Sequence, residues 1–153
     1  MSSTLLWLLL MICAGGMAAT QAAVNAQLSR LMGSPIQAAF LSFLIGTLAL
    51  SALLLVAREG LPSVSRIVQI PPLYFIGGLL GVGFVVAIIF TLPRVGVVNV
   101  LLFGLAGQMI VSALIDHHGW FGVRAQPVDP WRVGGIALVF LGVLVLNRHR
   151  LLP

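Results

Sequence analysis

The sequence predicts an all-α fold, a polytopic bundle of five transmembrane helices, and three observations predict it. Charge is scarce: 60% of the 153 residues are hydrophobic and 7% are charged, with a mean hydropathy of +1.16. A soluble domain carries about 25% charged residues and needs them to cover its surface. The apolar residues fall into five blocks, at residues 5–28, 36–57, 72–92, 95–115 and 131–146, each near the roughly 20 residues that cross a bilayer core. The charges gather at the block ends, where a membrane helix meets lipid headgroups. Buried strands are excluded, since those run to about 4–8 residues. The length fits a single membrane domain over residues 1–153.

The elements follow in order. The start of the first block, residues 5–19, resembles a signal peptide, but no Arg or Lys precedes it. A signal n-region needs that positive charge, so the segment is expected to remain as a span. Cys13 is the only cysteine and is expected to act as a small buried apolar residue; no disulfide within one chain is possible. Gly33-Ser34-Pro35 reads as a helix stop, an N-cap and a proline at the first helical position of span two. Pro71-Pro72 and Asp129-Pro130 introduce spans three and five in the same way. Pro93-Arg94 is expected to break span three from span four, because proline removes a helical hydrogen bond. The fifth block is short and is expected to borrow its flanks.

The net charge of +5 comes from eight Arg and no Lys, set against Glu59, Asp116 and Asp129. The arginines are scattered singly between apolar blocks, without a basic stripe interleaved with aromatics, so nucleic acid is rejected as a partner. The partner these residues address is the lipid bilayer. With five spans, Arg58, Arg66, Arg124 and Arg132 lie on one side, and Arg30, Arg94, Arg148 and Arg150 on the other. Orientation normally follows a cytoplasmic excess of basic residues, and here there is none. Two readings stay open. Either subtler signals choose one orientation, or the chain inserts both ways and pairs with an inverted second copy, as inverted repeats do inside larger transporters.

Small and polar residues show where helices meet. Ala38, Ser42 and Gly46 recur at four-residue spacing in span two, Gly77 and Gly81 do so in span three, and span five carries Gly134, Gly135 and Gly142. Gly46, Gly77, Gly81, Gly135 and Gly142 are read as helix-packing positions, since membrane helices associate by close backbone approach. Two polar stripes run along single helix faces: Gln21, Asn25 and Ser29, flanked by Thr20 and Gln27, and then Gly104, Gln108, Ser112 and Asp116. Polar side chains in hydrocarbon are costly unless paired or wetted. They are therefore either interhelical glue or the lining of a substrate pathway, with Gln21, Asn25, Gln27, Gln108, Ser112 and Asp116 as its residues. Arg30 and Arg94 sit at tight turns and either draw anions to a vestibule or snorkel to the interface.

No carboxylate stands in the middle of a span, which disfavours cation–proton exchange unless Asp116 is drawn inward. Asp116-His117-His118 gives no metal site, because adjacent His side chains point different ways on a helix and no Cys accompanies them. No Ser/His/Asp set, phosphate loop or dinucleotide fingerprint occurs. No catalytic residue, metal or cofactor is expected.

Several stretches resemble the bacterial YdcZ-type inner-membrane family of the drug/metabolite transporter superfamily: residues 23–28 (AVNAQL), 42–47 (SFLIGT), 77–81 (GGLLG), 106–109 (AGQM) and 115–117 (IDH). The resemblance covers nearly the whole chain. It implies a five-helix half unit in the bacterial inner membrane, often occurring as pairs or as fused inverted halves. Small multidrug resistance exporters, more distant relatives of that family, use a Glu in their first helix, and this chain has none there. The function expected is secondary transport, as an exporter of a small neutral or anionic metabolite, by alternating access in an antiparallel homodimer of dual topology or with a paralogue as the second copy. The alternatives are a non-transporting accessory subunit of an enzyme or lipid-handling complex, and a passive pore.

Overall fold

The computed structural model describes residues 3–148; Arg150, counted above with the C-terminal arginines, lies outside them. Six α-helices follow one another: α1 (Ser3–Met32), α2 (Pro35–Ala57), α3 (Val64–Gln69), α4 (Ile76–Val95), α5 (Val97–His118) and α6 (Pro130–Leu146). Short 3-10 turns at Pro72–Phe75 and Trp120–Gly122 lead into α4 and out of α5. No strand occurs among the described residues.

Among the described residues, four segments are long and apolar enough to cross a membrane: Trp7–Met32, Pro35–Ala57, Pro72–Val95 and Val97–His118. The fifth block forms α6, which is apolar but has 17 residues. At 1.5 Å per residue that is about 26 Å, a little short of the roughly 30 Å hydrocarbon core. Four spans and a shorter apolar helix therefore stand where five spans, the last of them short, were expected.

Three boundaries differ from the sequence reading. The first helix continues past residue 28 to Met32 and stops at Gly33, whose φ of 69° suits glycine. The loop at 58–70 contains α3, a helix of six residues. Pro93 lies inside α4 rather than ending it, and the break comes at Gly96 with a φ of 85°. Proline forfeits only its own N–H and crowds the carbonyl of Ile89, while Arg94 and Val95 keep their own N–H donors, so the helix runs two residues further. Cys13 is exposed rather than buried.

The helices group into two compact units, one up to Arg94 and one from Val95 onward. In the first, α1 and α2 fold back on each other across Gly33-Ser34. The Ser34 side chain accepts a hydrogen bond from the Gln37 backbone N–H at 3.3 Å, and Pro35 opens the helix, as expected. Leu28 of α1, Ala38 and Ala39 of α2, and Val85, Val86 and Ile89 of α4 form one apolar cluster. α2 ends at Arg58, in the left-handed region at φ 57°, where the Glu59 N–H reaches Leu54 O at 3.1 Å.

The second unit is built from α5, α6 and the connection between them. Exposed apolar side chains, Ile12, Leu55, Leu79 and Trp131 among them, cover both units. Water would not tolerate so continuous an apolar surface, whereas hydrocarbon does.

Candidate functional site

Each unit holds a largely apolar cleft with a few polar side chains in its wall. In the second unit the cleft lies between α5 and α6 and has a volume of about 450 Å³. α5 contributes Leu105, Gln108, Met109, Ser112, Ala113 and Asp116, and α6 contributes Arg132, Gly135 and Ile136. Three residues of the second polar stripe thus line one wall, rising one turn at a time because a four-residue step returns to the same helix face.

The connection between the two helices fixes the charged end of this cleft. α5 ends at Gly119, in the left-handed region at φ 65°. The chain then passes so close that a Cβ on Gly119 would stand 3.2 Å from both the Ala125 Cβ and the Val123 carbonyl oxygen. Only glycine fits that φ and that gap together. The returning strand of loop is tied down by the Gln126 N–H, which donates to Asp116 O at 2.7 Å, and by the Val128 N–H, which donates to His117 Nδ1 at 3.2 Å. The His118 ring stacks on Trp120 at 5.0 Å between centroids.

Asp129 then caps α6, its Oδ1 accepting from the Arg132 N–H at 2.8 Å, with Pro130 at the first turn. That cap aims Arg132 back at the end of α5. Its guanidinium donates to Gln126 Oε1 at 2.6 Å and reaches Gln126 O and Asp116 Oδ2, each at 3.4 Å. The Arg132 and Asp116 side chains keep 35% and 32% of their surface exposed. A pair this open contributes about 0–1 kcal/mol to stability, since water screens it. At 3.4 Å it is also looser than the roughly 2.7–2.9 Å of a tight charge-assisted hydrogen bond. A second hollow of about 390 Å³ beside it is lined by Arg124, Ala125, Gln126, Pro127, Asp129 and Arg132.

In the first unit a smaller cleft of about 270 Å³ is lined by Gln21, Ser42, Phe43, Gly46, Thr47, Leu50 and Val85. The Thr47 hydroxyl is spent on Phe43 O at 2.8 Å and the Thr20 hydroxyl on Gly16 O at 3.0 Å, both within their own helices. Gln21 and Ser42 are the remaining polar groups at this wall.

The expected pathway residues are distributed as follows. Gln108, Ser112 and Asp116 share the α5–α6 cleft, and Gln21 faces the α1–α2–α4 cleft. Asn25 is 5% exposed and lines neither. Gln27 is exposed and accepts from the Arg30 guanidinium, while Arg94 donates to the Phe90 carbonyl; both arginines thus bond to their own helices. Among the packing glycines, Gly81 would place a Cβ 3.8 Å from the Phe43 ring, and Gly46 and Gly135 line the two clefts. Gly46, Gly77, Gly135 and Gly142 have nothing within 4 Å of an added Cβ.

Arg132 and Gln126 were not singled out from sequence. One signal was available: Asp129-Pro130 fixes a helix start, and the residue three positions after an N-cap is held in place by it. That its guanidinium would meet Asp116, sixteen residues earlier, was not readable. Among the described residues no three His, Cys, Asp or Glu side chains are grouped to hold a metal ion.

A family model described as "Putative inner membrane exporter, YdcZ" matches residues 6–145. Neither a curated protein nor a solved structure matches this chain. The match covers nearly the full length, and with its long apolar helices the chain belongs to this inner-membrane family.

Proposed function

We propose, from that membership, that the chain is a secondary exporter of a small metabolite that works as an antiparallel homodimer by alternating access. The observation that carries the reading is the α5–α6 cleft, where Gln108, Ser112, Asp116 and Arg132 gather between two apolar helices. Polar groups placed so are costly in hydrocarbon and are retained where they serve a pathway. In the first unit Gln21 lines a cleft of its own, and the buried Asn25 joins it only as the helices move in alternating access; Gln27, Arg30 and Arg94 are bonded within their own helices. α6 crosses as a fifth span by thinning the bilayer locally or by using its capped flanks, each a modest cost.

An odd number of spans with arginines divided four against four supports insertion in both orientations. Two opposed copies then rock about a two-fold axis in the membrane plane.

Substrate counterflow into liposomes containing only this protein tests the reading. Solutes from a labelled metabolite extract are expected to exchange with saturable kinetics. Asn25→Ala and Gln108→Ala are each expected to abolish exchange while the dimer stays intact. Full exchange in both variants removes the polar stripes from the pathway, and no exchange of any solute by the native chain rejects export. Orientation is read separately from a thiol added at the C-terminus of a Cys13→Ser chain, the exposed Cys13 being removed to silence its own labelling. Labelling from both faces of intact cells supports dual insertion, and labelling from one face ends it.

A further inference from the structure

We infer that the α5–α6 cleft takes a small zwitterion, a molecule bearing an ammonium and a carboxylate close together with an uncharged body. The inference rests on the export reading and adds the chemistry of the cargo. Its basis is the pairing of Asp116 with Arg132 at one end of a cleft whose remaining lining is neutral.

The two charges are set as a site rather than as a sealed bridge. Each side chain keeps about a third of its surface open, and their one direct contact is long, at 3.4 Å. The Arg132 guanidinium is steered from behind by Gln126 and by the Asp129 cap on its own backbone. Its position therefore does not depend on Asp116. A carboxylate can replace Asp116 Oδ2 as its acceptor, with the planar guanidinium offering two parallel donors. Asp116, so released, accepts from an ammonium.

The exchange is balanced. The empty cleft holds one negative and one positive group, and the loaded cleft holds two of each, in alternation. A solute with a single charge would instead leave Asp116 or Arg132 without a counter-ion in a site walled by Leu105, Met109 and Ile136. Unpaired charge costs more there once the solute displaces the water that screens the open pair. Beyond the charged end, Gln108 lies two turns below Asp116 on α5, about 12 Å along the axis. The uncharged body of the solute lies over that stretch.

The test is efflux from liposomes of phosphatidylglycerol, preloaded with an equimolar panel and read by mass spectrometry. The panel holds alanine, leucine, phenylalanine and glutamine, a sulfonate and a trimethylammonium ion of matching side chain for each, which keep their single charge and do not cross a bilayer unaided, and glucose. Zwitterions are expected to leave at least about tenfold faster than either one-charge analogue, the loss of one charged hydrogen bond being worth that factor. Arg132→Gln and Asp116→Asn are each expected to erase the preference. The exchanged pair, Asp116→Arg with Arg132→Asp, is not expected to restore it, because Gln126 and the Asp129 cap steer a guanidinium only at position 132; restoration by the exchange would mark the pair as a structural bridge and overturn the inference.

Equal or faster efflux of the sulfonates or ammonium ions, above the leak from protein-free liposomes, overturns the inference and leaves export standing. Efflux of glucose alone does the same. Absence of any efflux from this panel, while the metabolite extract still exchanges, also overturns it. If nothing moves in either assay, the export reading itself fails.

A phosphatidylethanolamine headgroup presents the same two charges from the membrane side. A Ser112→Cys, Cys13→Ser chain separates the two sources. Maleimide labelling slowed by free leucine in phosphatidylglycerol supports a soluble cargo. Slowing by phosphatidylethanolamine alone, with no effect of free zwitterions, overturns it.

Discussion

The two helical units use similar composition for different ends. In the first, α2 meets its neighbours through alanine: Ala38 is 0% exposed and Ala39 is 2% exposed, closed over by Leu28, Val85, Val86 and Ile89. In the second, α5 and α6 stand around a cleft nearly twice the volume of its counterpart, about 450 Å³ against about 270 Å³, with an ion pair at one end. The Thr47 and Ser51 hydroxyls of α2 are bonded to carbonyls one turn back, at 2.8 and 2.9 Å, whereas Gln108 and Ser112 of α5 open into the cleft. In the first unit the α2 hydroxyls of Thr47 and Ser51 are consumed inside the helix, leaving Gln21 and Ser42 at its cleft. In the second, Gln108, Ser112, Asp116 and Arg132 share one cleft, which is the difference that the proposed function draws on.

The comparison breaks most severely at Ala38. Leucine there adds three carbon atoms where no surface is open. Overpacking of this kind costs about 1–3 kcal/mol, and the thermal unfolding of the detergent-solubilised Ala38→Leu protein is expected to fall accordingly. A like-sized change on the open wall, Ala113→Leu, is expected to cost less than about 1 kcal/mol in stability while filling the α5–α6 cleft and stopping transport. If the two substitutions destabilise equally, the two units do not differ as argued.

Asp129→Ala is expected to have a smaller and local effect. It removes the cap that accepts from the Arg132 N–H at 2.8 Å, a loss of about 1 kcal/mol. Amide exchange at the start of α6 should rise by roughly fivefold, with the amides around Ala38 and Ala39 unchanged. A rise spread over both units would show that the loop after α5 supports the whole fold.

The sequence carried the fold through length and punctuation. The apolar blocks, Ser34-Pro35 and Asp129-Pro130 all act locally, within one turn, and their physics is complete in a few residues. Pro93 misled because a proline removes one donor without removing those of the residues after it, so the helix ends where Gly96 takes a positive φ instead. The Gln108-Ser112-Asp116 face was legible for the same reason as the helices, from a four-residue step. Arg132 was not, because its meeting with Asp116 depends on the loop that closes over Gly119 and returns Gln126 to the end of α5. Chemistry that arises between helices leaves no mark in the spacing along one of them.

The glycines sharpen the comparison with the least perturbation. A methyl group at Gly77 or Gly142 meets nothing within 4 Å, whereas at Gly81 it would lie 3.8 Å from the Phe43 ring. Within a single chain all three Gly→Ala changes are therefore neutral or stabilising, by up to about 1 kcal/mol from helix propensity. If the opposed copy of an antiparallel dimer packs on α4 or α6, the approach at Gly77 or Gly142 is close, and alanine pushes the partner away. Gly77→Ala or Gly142→Ala should then weaken dimerisation in lipid by about 1 kcal/mol, roughly fivefold, with Gly81→Ala serving as the control that does not. Dimers of unchanged strength in both variants would take these glycines out of the interface and leave them facing lipid, where a missing side chain costs a helix nothing in packing.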